Sequence, residues 1–557
     1  MQFRWNHTQG APDYDSETGF GFVTGAVYTA DAALHIPETN SGFLPLWWYA
    51  GTPIFDIQQG EYGLQATAAE ALRAEDAADR RLPVWLRIQV PGEGVYRAEI
   101  TVTGTDGGEV LVFTGRRRLA WRGVLPAGAQ QIVTAYCDVF PIVPRGQADA
   151  VASDAVNIAV VGGALTAVAL AEAPDPRRIW VCGDSTVTDQ TGELPYAPGT
   201  SYAGWGQMLP AYLPEVCITN HAHSGLTTES FLSEGHWAIV KPRLRAGDIC
   251  LFQFGHNDQK LAHLQARGGY TDRLRTYIKE TRAAGAVPVL ITPLARNSWR
   301  DPTHYNDFLA DFADAVLDLG KEEAVPVLDL HAYAMQLIRQ EGLEAAKRWF
   351  YPGDYTHTND FGAYRMAGFV AGALGTAAGL PVADAPAWTP APPFVPLTPP
   401  KDCTLPAPDT DPFADYDAAR PQEVLTRAEA LELAIKALKL FPINVYNDLY
   451  ADIVGHETYA GTVQCAAQND LIPAAWVADG KLYPQRTVTA ADFLAVLMPG
   501  AAGRRPLAAP SPLPDTVPAY ARFAAGQAVA EQLISADSLN IPMTRSDAAA
   551  LCRRLHI

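Results

Sequence analysis

The sequence predicts a chain of three folded parts. A central three-layer α/β domain built on a parallel sheet is preceded by a β-sandwich and followed by α-helical repeats. Three observations point there. Short alternating strands broken by Gly and Pro turns fill the first third of the 557 residues; apolar runs separated by helical stretches fill the middle; an Ala- and Leu-rich tail repeats a Thr-initiated helix. A chain this long exceeds what one hydrophobic core supports, and 48% hydrophobic and 10% aromatic content supplies several packed interiors.

Residues 1–172 read as the β-sandwich. Tyr96-Arg-Ala-Glu-Ile-Thr-Val-Thr alternates apolar and polar side chains, stops at Gly104-Thr-Asp-Gly-Gly, and resumes as Glu109-Val-Leu-Val-Phe-Thr. That is strand, turn, strand, and further strands are expected at 131–140 and 164–170. Residues 177–380 change period. The runs Ile179–Cys182, Val216–Thr219, Ile249–Phe254, Val287–Thr292 and Val325–Leu330 alternate with helical stretches such as Tyr270–Ala284 and Tyr305–Leu319. Continuous apolar strands with crossover helices mean a parallel sheet covered on both faces, whose ligand chemistry belongs at the carboxyl ends of its strands. Residues 381–412 are dominated by proline and read as an extended linker, and 413–557 form the helical region.

Composition excludes several classes of function. With 42 Lys and Arg against 61 Asp and Glu, the formal charge is −19, which argues against nucleic-acid partners because phosphate binding needs clustered cations. No run of eighteen or more apolar residues is present, so no membrane insertion is expected. The seven cysteines are scattered and never in a C-x-x-C pair; Cys182, Cys217 and Cys250 sit in apolar runs, as buried free thiols do. The sequence as written opens without a signal-like segment, so a cytoplasmic location is expected, with secretion or wall association the alternative if a leader has been removed.

Four patches carry the chemistry: Gly183-Asp184-Ser185-Thr186, Asn220-His221-Ala222-His223-Ser224-Gly225, Gly255-His256-Asn257-Asp258 and Asp354-Tyr355-Thr356-His357. Each alone has an ordinary reading as a turn, a strand exit or a helix cap. Together, three of them at strand ends, they supply all the parts of acyl transfer. Ser185 is the nucleophile, His357 its base, and Asp354 the carboxylate that orients the imidazole. Ser185 N–H, Gly225 N–H and the Asn257 side-chain amide are the expected oxyanion donors. No cofactor and no metal ion are called for.

These blocks resemble the signatures of the SGNH (GDSL-type) hydrolases, whose Ser, Gly, Asn and His fall on Ser185, Gly225, Asn257 and His357. The resemblance implies a flavodoxin-like parallel sheet. Tyr202-Ala-Gly-Trp-Gly-Gln, Glu229-Ser-Phe, Phe254-Gly-His-Asn-Asp and Asp354-Tyr-Thr-His-Thr narrow it toward the rhamnogalacturonan acetylesterases, carbohydrate esterase family 12; Leu226-Thr-Thr departs from that pattern. Tyr14–Val23 and Gly94–Val102 resemble galactose-binding-like sandwich domains, where Trp47, Trp48 and Tyr49 are candidates for stacking on sugars and, more simply, for core packing.

In the tail, Thr426, Thr489 and Thr544 each stand three residues before an acid, Glu429, Asp492 and Asp547, at the start of a helical stretch. The recurring pattern resembles surface-layer homology repeats. Its expected roles are packing or self-association, or contact with cell-wall glycan. The expected function is removal of O-acetyl groups from pectic, rhamnogalacturonan-type glycans. Acetyl xylan or mannan esterase is the alternative substrate class, and a wall-associated glycan-binding protein with an inactive hydrolase domain is the alternative from another class.

Overall fold

Alternating burial along Gly94–Gly104 makes one face of that strand core and the other surface, the signature of a two-sheet sandwich. The computed structural model describes residues 1–4, 11–15, 17–23, 43–44, 55–68, 81–143, 149–190, 192–193, 196–301, 304–390, 411–438, 440, 449–453, 457–502 and 506–555. They form two units: Met1–Gly255 with Thr271–Leu405, and His256–Tyr270 with Pro406–Ile557. Trp47, Trp48, Tyr49, Cys403 and 391–410 of the proline-rich stretch lie outside the described residues.

The first unit begins with two antiparallel sheets. One runs in the order Gln130–Val139, Gly94–Gly104, Gly163–Glu172, Gly63–Ala68, Phe55–Gly60; the other in the order Phe20–Phe22, Pro83–Gln89, Ala155–Val161, Glu109–Thr114, Arg118–Val124. Their facing side chains, among them Ile100, Val102, Val112, Val156, Ile158 and Leu165, make one core. The second sheet is covered on its other face as well. Trp85, Leu111, Phe113, Leu119, Ala159 and Val161 share a core with Val181, Trp205, Met208, Leu209 and Leu213 of the following domain. That is why Ala155–Val161 is buried at every position instead of at alternate ones.

The central sheet is fully parallel, in the order Cys217–Asn220, Arg178–Gly183, Ile249–Gln253, Val287–Ile291, Val327–Leu328. Numbered along the chain this is 2-1-3-4-5, with the order reversing beside Arg178–Gly183, the point at which sheets of this kind bind ligands beyond their carboxyl ends. Two expected elements differ. The strand read over 325–330 is reduced to Val327–Leu328, because Pro326 lacks an N–H and Asp329 already caps the next helix by accepting from Ala332 N. The helix read over 305–319 runs instead from Ala310 to Glu323, because His304–Tyr305 pairs with Trp299–Asp301 as a short hairpin.

In the second unit, the helices Arg427–Ala437, Ala490–Ala502 and Arg545–Arg554 follow Thr426, Thr489 and Thr544. Each threonine hydroxyl accepts from the amide of the acid three residues on. The residues just before the threonines close a three-membered ring: Leu425 N donates to Met543 O at 2.8 Å, Met543 N to Val488 O at 3.0 Å, and Val488 N to Leu425 O at 3.0 Å. No helix among the described residues is long and apolar enough to cross a membrane.

Candidate active site

The first patch is built by exclusion. A Cβ on Gly183 would stand 2.6 Å from Gln253 O of the neighbouring strand, so the chain turns out of the sheet there with no side chain. Asp184 is fully buried and accepts from Thr186 N at 3.0 Å and Thr186 Oγ1 at 2.8 Å, which locks the turn. Gln253 Nε2 donates to the same threonine hydroxyl. The turn leaves Ser185 8% exposed at the strand's carboxyl end.

The fourth patch comes to meet it from a loop between Trp349 and the helix Asp360–Ala378. His357 is held by its backbone, whose carbonyl accepts from Tyr351 N at 2.9 Å. Asn359 caps the helix by accepting from Gly362 N at 3.0 Å. Ser185 Oγ and His357 Nε2 are 2.8 Å apart, and His357 Nδ1 lies 2.8 Å from Asp354 Oδ2. The other carboxylate oxygen of Asp354 accepts from Thr356 N at 2.7 Å and His357 N at 3.0 Å. Burial alone would push this carboxyl up; the bonds from His357 and Thr356 outweigh it and hold it down at about 2. An ionised carboxylate only accepts, so Nδ1 carries the proton and Nε2 is left to accept from the serine hydroxyl. The three side chains thus form one continuous hydrogen-bonded chain from Ser185 through His357 to Asp354.

The second patch is mostly scaffolding. Asn220 Nδ2 donates to Val187 O and to Asp189 Oδ1, both at 2.9 Å, and Asn220 Oδ1 accepts from Ala222 N at 3.1 Å. His221 is buried 5.4 Å from the Trp180 ring, and burial pushes its pKa down to about 3, which keeps it neutral. The run ends at Gly225, whose φ of +88° suits glycine. Among the described residues, neither Ser185 N–H nor Gly225 N–H donates within the protein. Gln190, which sequence reading passed over, ties the two patches together: its Nε2 donates to Ser185 O at 3.1 Å and Ser224 Oγ at 3.3 Å. No local motif marks it, since its partners lie on other loops.

Asn257 belongs to the second unit. It opens the short turn Asp258–Lys260, and its side-chain oxygen accepts from the buried Lys260 Nζ at 2.6 Å. Two residues on from Lys260, Ala262 N donates to Asn469 Oδ1 at 2.7 Å. Among the described residues no group of three or more His, Cys, Asp or Glu side chains could hold a metal ion.

Residues 181–365 match the GDSL-like Lipase/Acylhydrolase family. The chain is 34% identical over 224 residues to the rhamnogalacturonan acetylesterase RhgT of Bacillus subtilis (strain 168), spanning 38% of this chain and 94% of the relative. It is 33% identical over 203 residues to the probable rhamnogalacturonan acetylesterase YesY of the same strain, covering 35% and 90%. With the uncharacterized esterase YxiM of that strain it shares 28% identity over 366 residues, 64% of this chain and 82% of the relative.

Proposed function

This chain belongs to the GDSL-like lipase/acylhydrolase family and is a hydrolase of carboxylic esters; from that premise we propose that it removes O-acetyl groups from pectic, rhamnogalacturonan-type poly- or oligosaccharides by a Ser–His–Asp mechanism. The observation that carries the mechanism is the hydrogen-bonded chain from Ser185 through His357 to Asp354. The substrate class rests on what the named relatives act on.

In this reading His357 Nε2 takes the Ser185 proton as Oγ attacks the acetyl carbonyl. The negative charge that develops on the carbonyl oxygen is met by Ser185 N–H and Gly225 N–H. His357 then returns the proton to the departing sugar oxygen, leaving acetyl-Ser185 and a free sugar hydroxyl. Water repeats the cycle, its proton passing to His357 and back to Ser185 as acetate leaves. Asp354 stays ionised throughout and steadies the imidazolium. The region 413–557 is proposed to serve packing rather than chemistry, a role supported by the contact of Asn469 with the loop after Asn257.

The test is acetate release from acetylated rhamnogalacturonan and from 4-nitrophenyl acetate by the native chain and by Ser185→Ala. The variant is expected to keep its fold and lose release from both. Retained turnover in it ends the mechanism, and acetylated xylan or mannan outrunning rhamnogalacturonan in a substrate panel ends the substrate class.

A further inference from the structure

Three consecutive arginines, Arg116-Arg117-Arg118, run from the turn after the sandwich strand Glu109–Thr114 into the strand Arg118–Val124. Surface turns commonly carry arginine, but these point inward. Arg117 is 0% exposed and holds a left-handed φ of +59°, a conformation that a residue with a Cβ adopts only when its surroundings impose it. Its guanidinium pairs through Nη1 with Asp360 Oδ1, donates through Nη2 to Tyr202 O, and reaches Gln190 O from Nε at 3.3 Å, above the Tyr196 ring at 5.5 Å.

Each of those partners is one step from the reacting groups. Asp360 begins the helix three residues after His357 and also accepts from Tyr196 OH at 2.7 Å and Gly199 N at 3.0 Å. The Tyr202 ring stacks on Tyr351 and sets its edge against the His357 ring at 5.6 Å. Residues 202–203 pair with 358–359: Ala203 N donates to Thr358 O at 3.0 Å, and Thr358 Oγ1 donates back to Ala203 O at 2.6 Å. Gln190 holds the Ser185 carbonyl.

We propose that Arg117, carried by the N-terminal sandwich, is a positioning residue for His357 and Ser185, so that the sandwich forms part of the catalytic machinery. The proposal rests on the reading of His357 as general base. One rigid fork grips both Tyr202, whose bridge pairs with the residues just after His357, and Asp360, the first residue of the helix that follows, and a lysine ammonium cannot match that geometry.

A second buried pair supplies the control. Arg178 and Asp248, 5% and 6% exposed, join at the amino end of the same parallel sheet, away from the four patches. In the full chain, Arg117→Lys is expected to lower kcat on 4-nitrophenyl acetate by about tenfold or more, since small displacements of reacting groups are costly. KM should change by less than about twofold, because no group that binds substrate is removed. The acidic limb of its kcat/KM profile should shift as well. Arg178→Lys should lose thermal stability while keeping kcat and pH profile. The proposal is overturned if folded Arg117→Lys keeps the native kcat and profile, or if Arg178→Lys loses kcat in the same measure. Should Arg117→Lys not fold, Asp360→Asn, which retains the grip on Tyr202, decides by the same criteria. Activity surviving in His357→Ala would instead overturn the reading of the base itself; an inactive His357→Ala beside a fully active Arg117→Lys overturns only this proposal.

Discussion

At the scale of single residues, the arrangement around His357 separates two electrostatic roles. Asp354 is held ionised at about 2, below its ordinary 3.8, so it contributes stability above that ordinary value and loses it as pH falls toward 2. It therefore remains charged across the whole range in which an esterase works. Asp354→Asn keeps the shape but lets the imidazole settle in the wrong tautomer, and kcat is expected to fall by about 10³- to 10⁴-fold with KM little changed, read by steady-state kinetics on 4-nitrophenyl acetate. A second acid–histidine pair, Asp307 with His331, has a different use. His331 Nε2 lies 2.8 Å from Asp307 Oδ2 and Nδ1 lies 3.0 Å from Pro293 O. Burial would lower its pKa, but the bond and charge of Asp307 raise it above the ordinary 6.5. A raised histidine stabilises the fold fully below 6.5 and loses that contribution as pH climbs through the higher value. The melting midpoint of the native chain should accordingly drop more between pH 6 and 9 than that of Asp307→Asn; equal slopes would remove the pair from the account.

At the scale of elements, what was legible in the sequence depended on how local its cause is. Gly183-Asp184-Ser185-Thr186 reads correctly because the turn is closed by its own atoms, Asp184 onto Thr186. Thr426 likewise announces its helix: its hydroxyl accepts from Glu429 N, and Glu429 Oε2 accepts in return from Thr426 N at 3.0 Å. Thr426→Ala removes one half of that reciprocal cap and is expected to cost about 1 kcal/mol, measurable as a shift in the denaturant midpoint at unchanged slope. The misread elements failed where a distant partner or a single breaker decided the outcome. Pro326 and Asp329 shortened the last strand despite an apolar run, and hairpin pairing of His304–Tyr305 displaced a helix whose period began earlier. Gln190 and Arg117 were invisible for the same reason. Asp360, the ion-pair partner of Arg117, is 243 residues away in the chain, and no window of sequence spans that distance.

At the scale of the molecule, the first sandwich sheet and the second obey different rules, and the difference says what the N-terminal part is for. A free-standing binding module would show water to the outer faces of both sheets, with alternating burial in every strand. Here Pro83–Gln89 reads buried at six successive positions and Ala155–Val161 at all seven. Trp85, Leu111 and Phe113 on that sheet pack with Trp205, Met208 and Leu209, and Arg118 adds a buried ion pair to Asp189 and a bond to Ile218 O at 2.9 Å. Removing the sandwich would expose these large apolar side chains of the α/β domain together, each with about 1.5–3 kcal/mol of burial at stake, and would take from the Asp189 and Asp360 carboxylates the arginines they pair with. The fragment 177–380, expressed alone, is therefore expected to be insoluble or to elute from a sizing column as an aggregate, while the fragment 1–390 should elute as a folded species and melt cooperatively. A soluble, active 177–380 would mean that the shared core is dispensable, and would return the sandwich to the status of an independent appendage.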